Sequence, residues 1–171
     1  IHASDFMLSC QLSPLGRIEQ MQRLTTQQPQ GQNQFQYWQQ FICDFCLNID
    51  TKQLNDERFF GEVTACALEP VEIATIRSTP VSVQQTKAHI AQANERFFKV
   101  TVQTDGVGVL RQNHQEVMLK RGDWVFYDST EPYELAFPEP YEQLILKIPA
   151  AMLASQIPMV DTFTAVRFPQ D

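Results

Sequence analysis

The residue types that most often carry chemistry are thinly spread in this chain. Cys43 and Cys46 form C-D-F-C, a spacing that serves either a redox pair or half of a zinc site. A zinc site wants a second such pair, and Cys10 and Cys66 stand alone. A redox motif belongs in a βαβ context, whereas this pair follows a run with helical spacing. Small buried thiols beside Phe41 and Phe45 fit that context better. The three histidines, His2, His89 and His114, never form a His-x-His pair. A metal needs at least three convergent ligands, so no metal site and no cofactor is expected. There is no G-x-S-x-G, and the six glycines make neither a dinucleotide fingerprint nor a Walker loop. Glu139 and Glu142 sit in a proline-marked corner, where solvated charge is the expected role rather than acid–base work.

What remains is the stretch R-G-D-W-V-F-Y-D-S-T-E-P-Y at 121–133. Its centre is too short for a typical helix and rich in aromatic and β-branched residues, which predicts a strand between two turns. Trp124 and Phe126 share one face of that strand, Val125 and Tyr127 the other. R-F-F-K-V-T-V-Q at 96–103 also alternates, with Phe98, Val100 and Val102 on one side and Lys99, Thr101 and Gln103 on the other. Small-molecule pockets are largely apolar with a few placed polar groups. The expected apolar contacts are Trp38, Trp124, Phe126 and Tyr133, and the expected polar anchors are Arg77, Lys99 and Gln103. The competing expectation is that these aromatics simply fill a core.

The elements that would position these residues follow from periodicity. Residues 20–40 hold ten glutamines with Pro29 and Gly31 among them, which predicts a polar arm over 1–32 that is partly flexible. Phe35, Trp38, Phe41, Ile42 and Phe45 recur at helical steps, predicting a short helix near 33–44. Strands are expected at 60–68, 71–76, 96–103, 107–111, 116–119, 124–127, 133–137 and 143–148, with turns at Asp105-Gly106 and Asn113-His114. After Pro149, A-A-M-L-A-S-Q-I predicts a short helix. Many short strands at close spacing predict a mainly β jelly-roll barrel with short flanking helices, one domain over 33–158 and a tail over 159–171.

Composition narrows the function. The 171 residues are 43% hydrophobic, enough for one sizeable core. Thirteen basic against twenty acidic residues give a net charge of −7, and no basic patch exceeds Lys120-Arg121. Direct DNA contact by this chain is therefore not expected. No run of 18 apolar residues predicts a membrane span. The N-terminal ten residues do not read as a secretory signal, Met7 is a candidate native start, and cysteine usage points to a reducing cytoplasm.

Four stretches carry a resemblance: R-S-T-P-V-S-V-Q-Q-T (77–86), E-R-F-F-K-V-T-V-Q-T-D-G (95–106), L-K-R-G-D-W-V-F-Y-D-S-T-E-P-Y-E-L (119–135) and L-I-L-K-I-P (144–149). In that order the chain resembles, over roughly 35–158, the effector-sensing domain of AraC-family transcription regulators, closest to the branch controlling catabolism of aromatic compounds. The resemblance implies a cupin-like barrel without metal, a small organic effector in or at the mouth of the barrel, and a homodimer. It also implies DNA binding through C-terminal helix-turn-helix motifs, for which 150–171 is too short. Branch members commonly carry Arg-Thr where this chain has Gln85-Thr86, and glutamine cannot supply a charge to an effector carboxylate. Arg77 on the preceding strand is a substitute for that arginine, and an aromatic acid bound in the usual manner is not the expected effector. The helix after Pro149 is the expected dimer element. The alternatives from other classes are a metal-free cupin-like isomerase and a purely structural dimerisation module.

Overall fold

The computed structural model describes residues 21–27, 33–46, 49–157 and 164–169. Helix α1 (Gln34–Cys46) begins at Asn33, whose side-chain oxygen accepts from the amides of Phe35 and Gln36. Trp38, Ile42 and Cys46, four residues apart, form its buried stripe. The strands are β1 (Met21–Thr25), β2 (Asp50–Gln53), β3 (Gly61–Leu68), β4 (Val71–Ser78), β5 (Val81–Gln85), β6 (Phe97–Asp105), β7 (Gly108–Gln112), β8 (Gln115–Leu119), β9 (Trp124–Asp128), β10 (Tyr133–Phe137), β11 (Tyr141–Pro149) and β12 (Val166–Phe168). Two short helices interrupt them: α2 (Lys87–Ala91), capped by Thr86, and α3 (Ala150–Ala154).

These strands make two antiparallel sheets, seven strands in the order β1-β3-β4-β11-β6-β9-β12 and five in the order β2-β5-β10-β7-β8. The result is the expected class, a mainly β, double-sheet roll with short flanking helices. Asn113 and His114 adopt positive φ of 52° and 63° at the tip of the β7–β8 hairpin, the conformation that a two-residue turn needs. At the expected Asp105-Gly106 turn, Gly106 has φ of 71°, and a side chain there would also run into the Pro140 carbonyl oxygen.

Five elements differ from the sequence expectation: β2, β5 and α2 fall where no element is expected, and β1 and β12 fall in the expected arm and tail. Part of the glutamine-rich arm is strand β1, paired with β3, and within this segment Leu24 and Thr26 are buried. An edge pairing is held by backbone hydrogen bonds, so a polar segment with one well-placed leucine suffices. Within the expected tail, β12 pairs with β9. Residues 1–20, including His2, Met7 and Cys10, lie outside the described residues.

The main core fills the space between the sheets, with α1 lying along one side: Ile42, Val63, Leu110, Val125, Leu135 and Phe137 are among its members. A second, smaller core lies on the outer face of the large sheet, where Phe98, Phe126 and Ala150 are covered by Leu153 and Phe168.

Candidate functional site

The inner face of the large sheet is read directly from strand register. One row runs Glu72, Lys147, Lys99, Tyr127 across β4, β11, β6 and β9. The next holds Ala74, Ile145, Thr101 and Val125, and the next Ile76, Gln143 and Gln103. The polar side of β6 therefore points inward. Lys99 is 2% exposed and Lys147 5%, an uncommon depth for lysine.

Lys99 donates to the Tyr133 hydroxyl at 2.9 Å and to the Cys46 carbonyl at 3.2 Å. Its ammonium lies 5.1 Å from the Tyr133 ring centre and 5.9 Å from that of Tyr127, within cation–π range of both. Lys147 donates to the Glu72 carboxylate at 3.1 Å and to the Phe45 carbonyl at 3.5 Å, and sits 4.3 Å from the Phe97 ring centre. Both lysines thus reach the C-terminal end of α1, where carbonyls lack partners inside the helix and the helix dipole favours cations. Tyr127 and Tyr133 meet edge to face at 5.0 Å, and the Tyr127 hydroxyl accepts from Thr101.

Burial dominates the acid–base behaviour here. It pushes the Tyr133 phenol well above its ordinary value, with a smaller push from Cys46. Burial likewise raises Tyr127 and the Cys46 thiol, each against an opposing pull from Lys99. These groups stay protonated and offer hydrogen bonds rather than bases or nucleophiles. Among the described residues no three His, Cys, Asp or Glu side chains converge as a metal would require. His89 lies 3.7 Å from Asp50 beside α2, and His114 is at its hairpin tip.

Of the side chains expected at the site, Lys99, Gln103 and Tyr133 lie inside the roll. Gln103 accepts from Gln143 at 2.8 Å and donates to the Asp105 carbonyl at 2.6 Å, so it straps β6 to β11 at some distance from the lysine row. Trp38 is also buried, stacked with Phe35 and packed on Gly61, where a side chain would collide with the indole. Gly61 is level with Tyr141 through Ser78, six residues along β11 from Lys147, or about 20 Å at strand rise.

Three expected residues lie elsewhere. Trp124 is 37% exposed and stacks on Phe168 at 3.9 Å; Phe126 stacks on Phe98 in the outer core. The inward set of β9 is Val125 and Tyr127, one residue out of step with that expectation, because α3 and β12 cover the side that would otherwise face water. Arg77 is exposed over the Phe60 ring at 5.7 Å, between Glu62 and Glu142 on neighbouring strands.

Sequence reasoning missed Lys147, Tyr127 and Glu72. A signal was present: Lys147 interrupts L-I-L-K-I as Lys99 interrupts F-F-K-V, each a lone lysine within a strand whose other face is apolar. The Gln85-Thr86 step ends β5, with Gln85 buried opposite Tyr133 and Thr86 accepting from the His89 amide to cap α2.

Comparison with known proteins agrees with the fold. A family described as the AraC-binding-like domain matches residues 38–171. An uncharacterised protein encoded in the nit 5′ region of Bacillus sp. (strain OxB-1) is 31% identical over 146 residues, 85% of this chain and 57% of that protein. The transcriptional activator NphR of Rhodococcus sp. is 25% identical over 88 residues, 52% of this chain and 26% of that one. Among solved structures, the AraC-like transcriptional activator CuxR superposes with a TM-score of 0.70 at 16% identity, covering 79% of this chain and 49% of that chain. The chain thus spans roughly half or less of the length of these relatives. No described helix is long and apolar enough to cross a membrane. With a family match over most of its length and the double-sheet roll that goes with it, the chain belongs to the AraC-binding-like domain family.

Proposed function

We propose that this domain is the effector-sensing part of an AraC-type transcription regulator, and that it binds a small organic molecule inside the roll. Its ligand site is the lysine row, with Lys99, Lys147, Tyr127 and Tyr133 supplying polar contacts and the surrounding core side chains the apolar ones. The observation that carries this reading is the burial of two lysines, side by side on neighbouring strands, with two phenols inside the roll. Structural stability alone gives little reason to sink such groups, since desolvation offsets most of what their pairing returns. The raised phenols and thiol favour a binding role over proton transfer, which agrees with a family of regulatory ligand-binding domains.

In this reading the effector shifts an equilibrium between two arrangements of the domain, and a homodimer passes the change to a C-terminal helix-turn-helix domain. DNA contact belongs to that second domain, in keeping with the net charge of −7 here. The dimer element is α3, where Met152 is exposed on a helix anchored by Leu153.

The test is a thermal-shift screen of the 171-residue chain against small aromatic and aliphatic compounds. A saturable rise in melting temperature without product formation is expected, about 2.7 kcal/mol of stabilisation at a hundredfold excess over Kd. A screen in which no compound moves the melting temperature, or in which a binder is turned over, would sink the reading.

A further inference from the structure

We infer that Lys99 and Lys147 form an exchangeable anion site, in which the effector's negative group replaces the backbone carbonyls of Phe45 and Cys46 and so unlatches helix α1. This deepens the reading above and rests on it. The argument starts from charge. Lys147 and Lys99 are direct cross-strand partners, and like charges in facing positions repel. Both are almost wholly buried, so solvent screens them little. Lys147 has one carboxylate, Glu72, which is 39% exposed and sits at the rim. Lys99 has no carboxylate partner among the described residues; its acceptors are a neutral hydroxyl and a backbone carbonyl. The row therefore holds two cations against one carboxylate, an excess positive charge where burial makes it costly.

An oxyanion would relieve both problems at once, lying between two ammonium groups with the Tyr133 hydroxyl beside them. Such charge-assisted bonds are shorter and stronger than those to a neutral carbonyl. The two carbonyls held in this structure occupy the acceptor positions that an oxyanion would take. Both come from the last two residues of α1, whose final carbonyls have no partner within the helix. A ligand that takes the lysines leaves that helix end uncapped. The rings of Phe45, Phe97, Tyr127 and Tyr133 around the ammonium groups suit an anion carrying an apolar body. The ligand class is thus a small organic anion, and the same contact that binds it changes α1.

The experiment uses matched probes on the 171-residue chain: phenylacetate against phenylacetamide, and hexanoate against hexanamide, by calorimetric titration at fixed ionic strength. The acid of each pair is expected to bind on the order of tenfold to a hundredfold more tightly, the value of one charge-assisted hydrogen bond. Lys99→Met should erase that preference, bringing the affinity for each acid down to that for its amide. Lys147→Met should do the same should the first variant melt without cooperativity, and Lys99→Arg should keep the preference. Hydrogen exchange over residues 42–46 should quicken when phenylacetate saturates the chain and stay unchanged with Lys99→Met. Equal affinity for acids and amides would overturn the inference and leave the sensing role standing. An acid preference that survives both methionine variants, or an exchange profile that phenylacetate leaves untouched, would also overturn it. Failure of every probe, charged or neutral, would remove the sensing role along with it.

Discussion

The two faces of β6 and β9 are built on opposite expectations. Toward the inside they present Lys99, Thr101, Gln103, Val125 and Tyr127, and toward the outside Phe98, Val100, Val102, Trp124 and Phe126. An ordinary half-exposed antiparallel sheet would put the polar set in water and the apolar set in the core. Here the outside carries its own small core under α3 and β12, and the inside keeps polar groups against the second sheet. The difference teaches that a polar strand face marks a wet side only when nothing else competes for the apolar one. Where the apolar face already has a cover, the polar face can be the functional one.

The strongest way to break that comparison is to truncate one fully buried aromatic on each side. Tyr127→Ala inside and Phe98→Ala outside should each cost about 3–5 kcal/mol in denaturant unfolding. Both side chains are at most 1% exposed. A cost under about 1 kcal/mol for Phe98→Ala would mean that α3 and β12 do not seal the outer face in solution.

How much of this was readable beforehand differs between fold and site. Most element positions were legible because their signals are local: alternation in 96–103, helical steps from Phe35 to Phe45, turn residues at Asp105-Gly106 and Asn113-His114. The short β2, β5 and α2 carry too few residues for such a signal and were not expected. The pairing of Met21–Thr25 was not, since an edge strand in a glutamine-rich segment depends on its partner β3 rather than on its own composition. Facing was the main loss at the site. Alternation separates two faces but does not say which is inside, and the cover that decides it comes from Ala150, Leu153 and Phe168, distant in sequence from β9. Of the expected polar anchors Lys99 and Gln103 lie inside and Arg77 is exposed; of the expected apolar contacts Trp38 and Tyr133 lie inside, and Trp124 and Phe126 lie on the outer face.

Alkaline unfolding sharpens the contrast, because the tyrosines and the cysteine with raised values all belong to the inner core. Tyr127, Tyr133, Tyr141 and Cys46 are held above their ordinary values of 10.0 for tyrosine and 9.0 for cysteine, chiefly by burial. In the unfolded chain these groups lose protons first, so the unfolded state binds fewer protons at high pH. Stability is then fully present below pH 9 and falls as pH climbs past the unfolded values, by about 1.4 kcal/mol per pH unit for each proton of difference. Denaturant melts between pH 8 and pH 11 should show that slope, steepening above pH 10. Tyr127→Phe should remove about one proton from it, whereas Phe126→Leu on the outer face should leave the slope alone.

The smallest effect is expected at Trp124, the residue that sequence alone made most prominent. Its ring stacks on Phe168 with planes 12° apart, but it remains more than one-third exposed. Truncation leaves no sealed cavity, since water can fill the space, so the cost reduces to a lost aromatic contact of about 0.5–1.5 kcal/mol. Part of that loss falls on β12, whose three residues pair only with β9 among the described strands, so local opening there should precede global unfolding. Affinity for any compound found to bind inside should stay unchanged in Trp124→Ala, because the indole and the Lys99 row lie on opposite sides of the same sheet. A large loss of binding in that variant, with the melting temperature intact, would place the ligand outside the roll and reverse the assignment of the two faces.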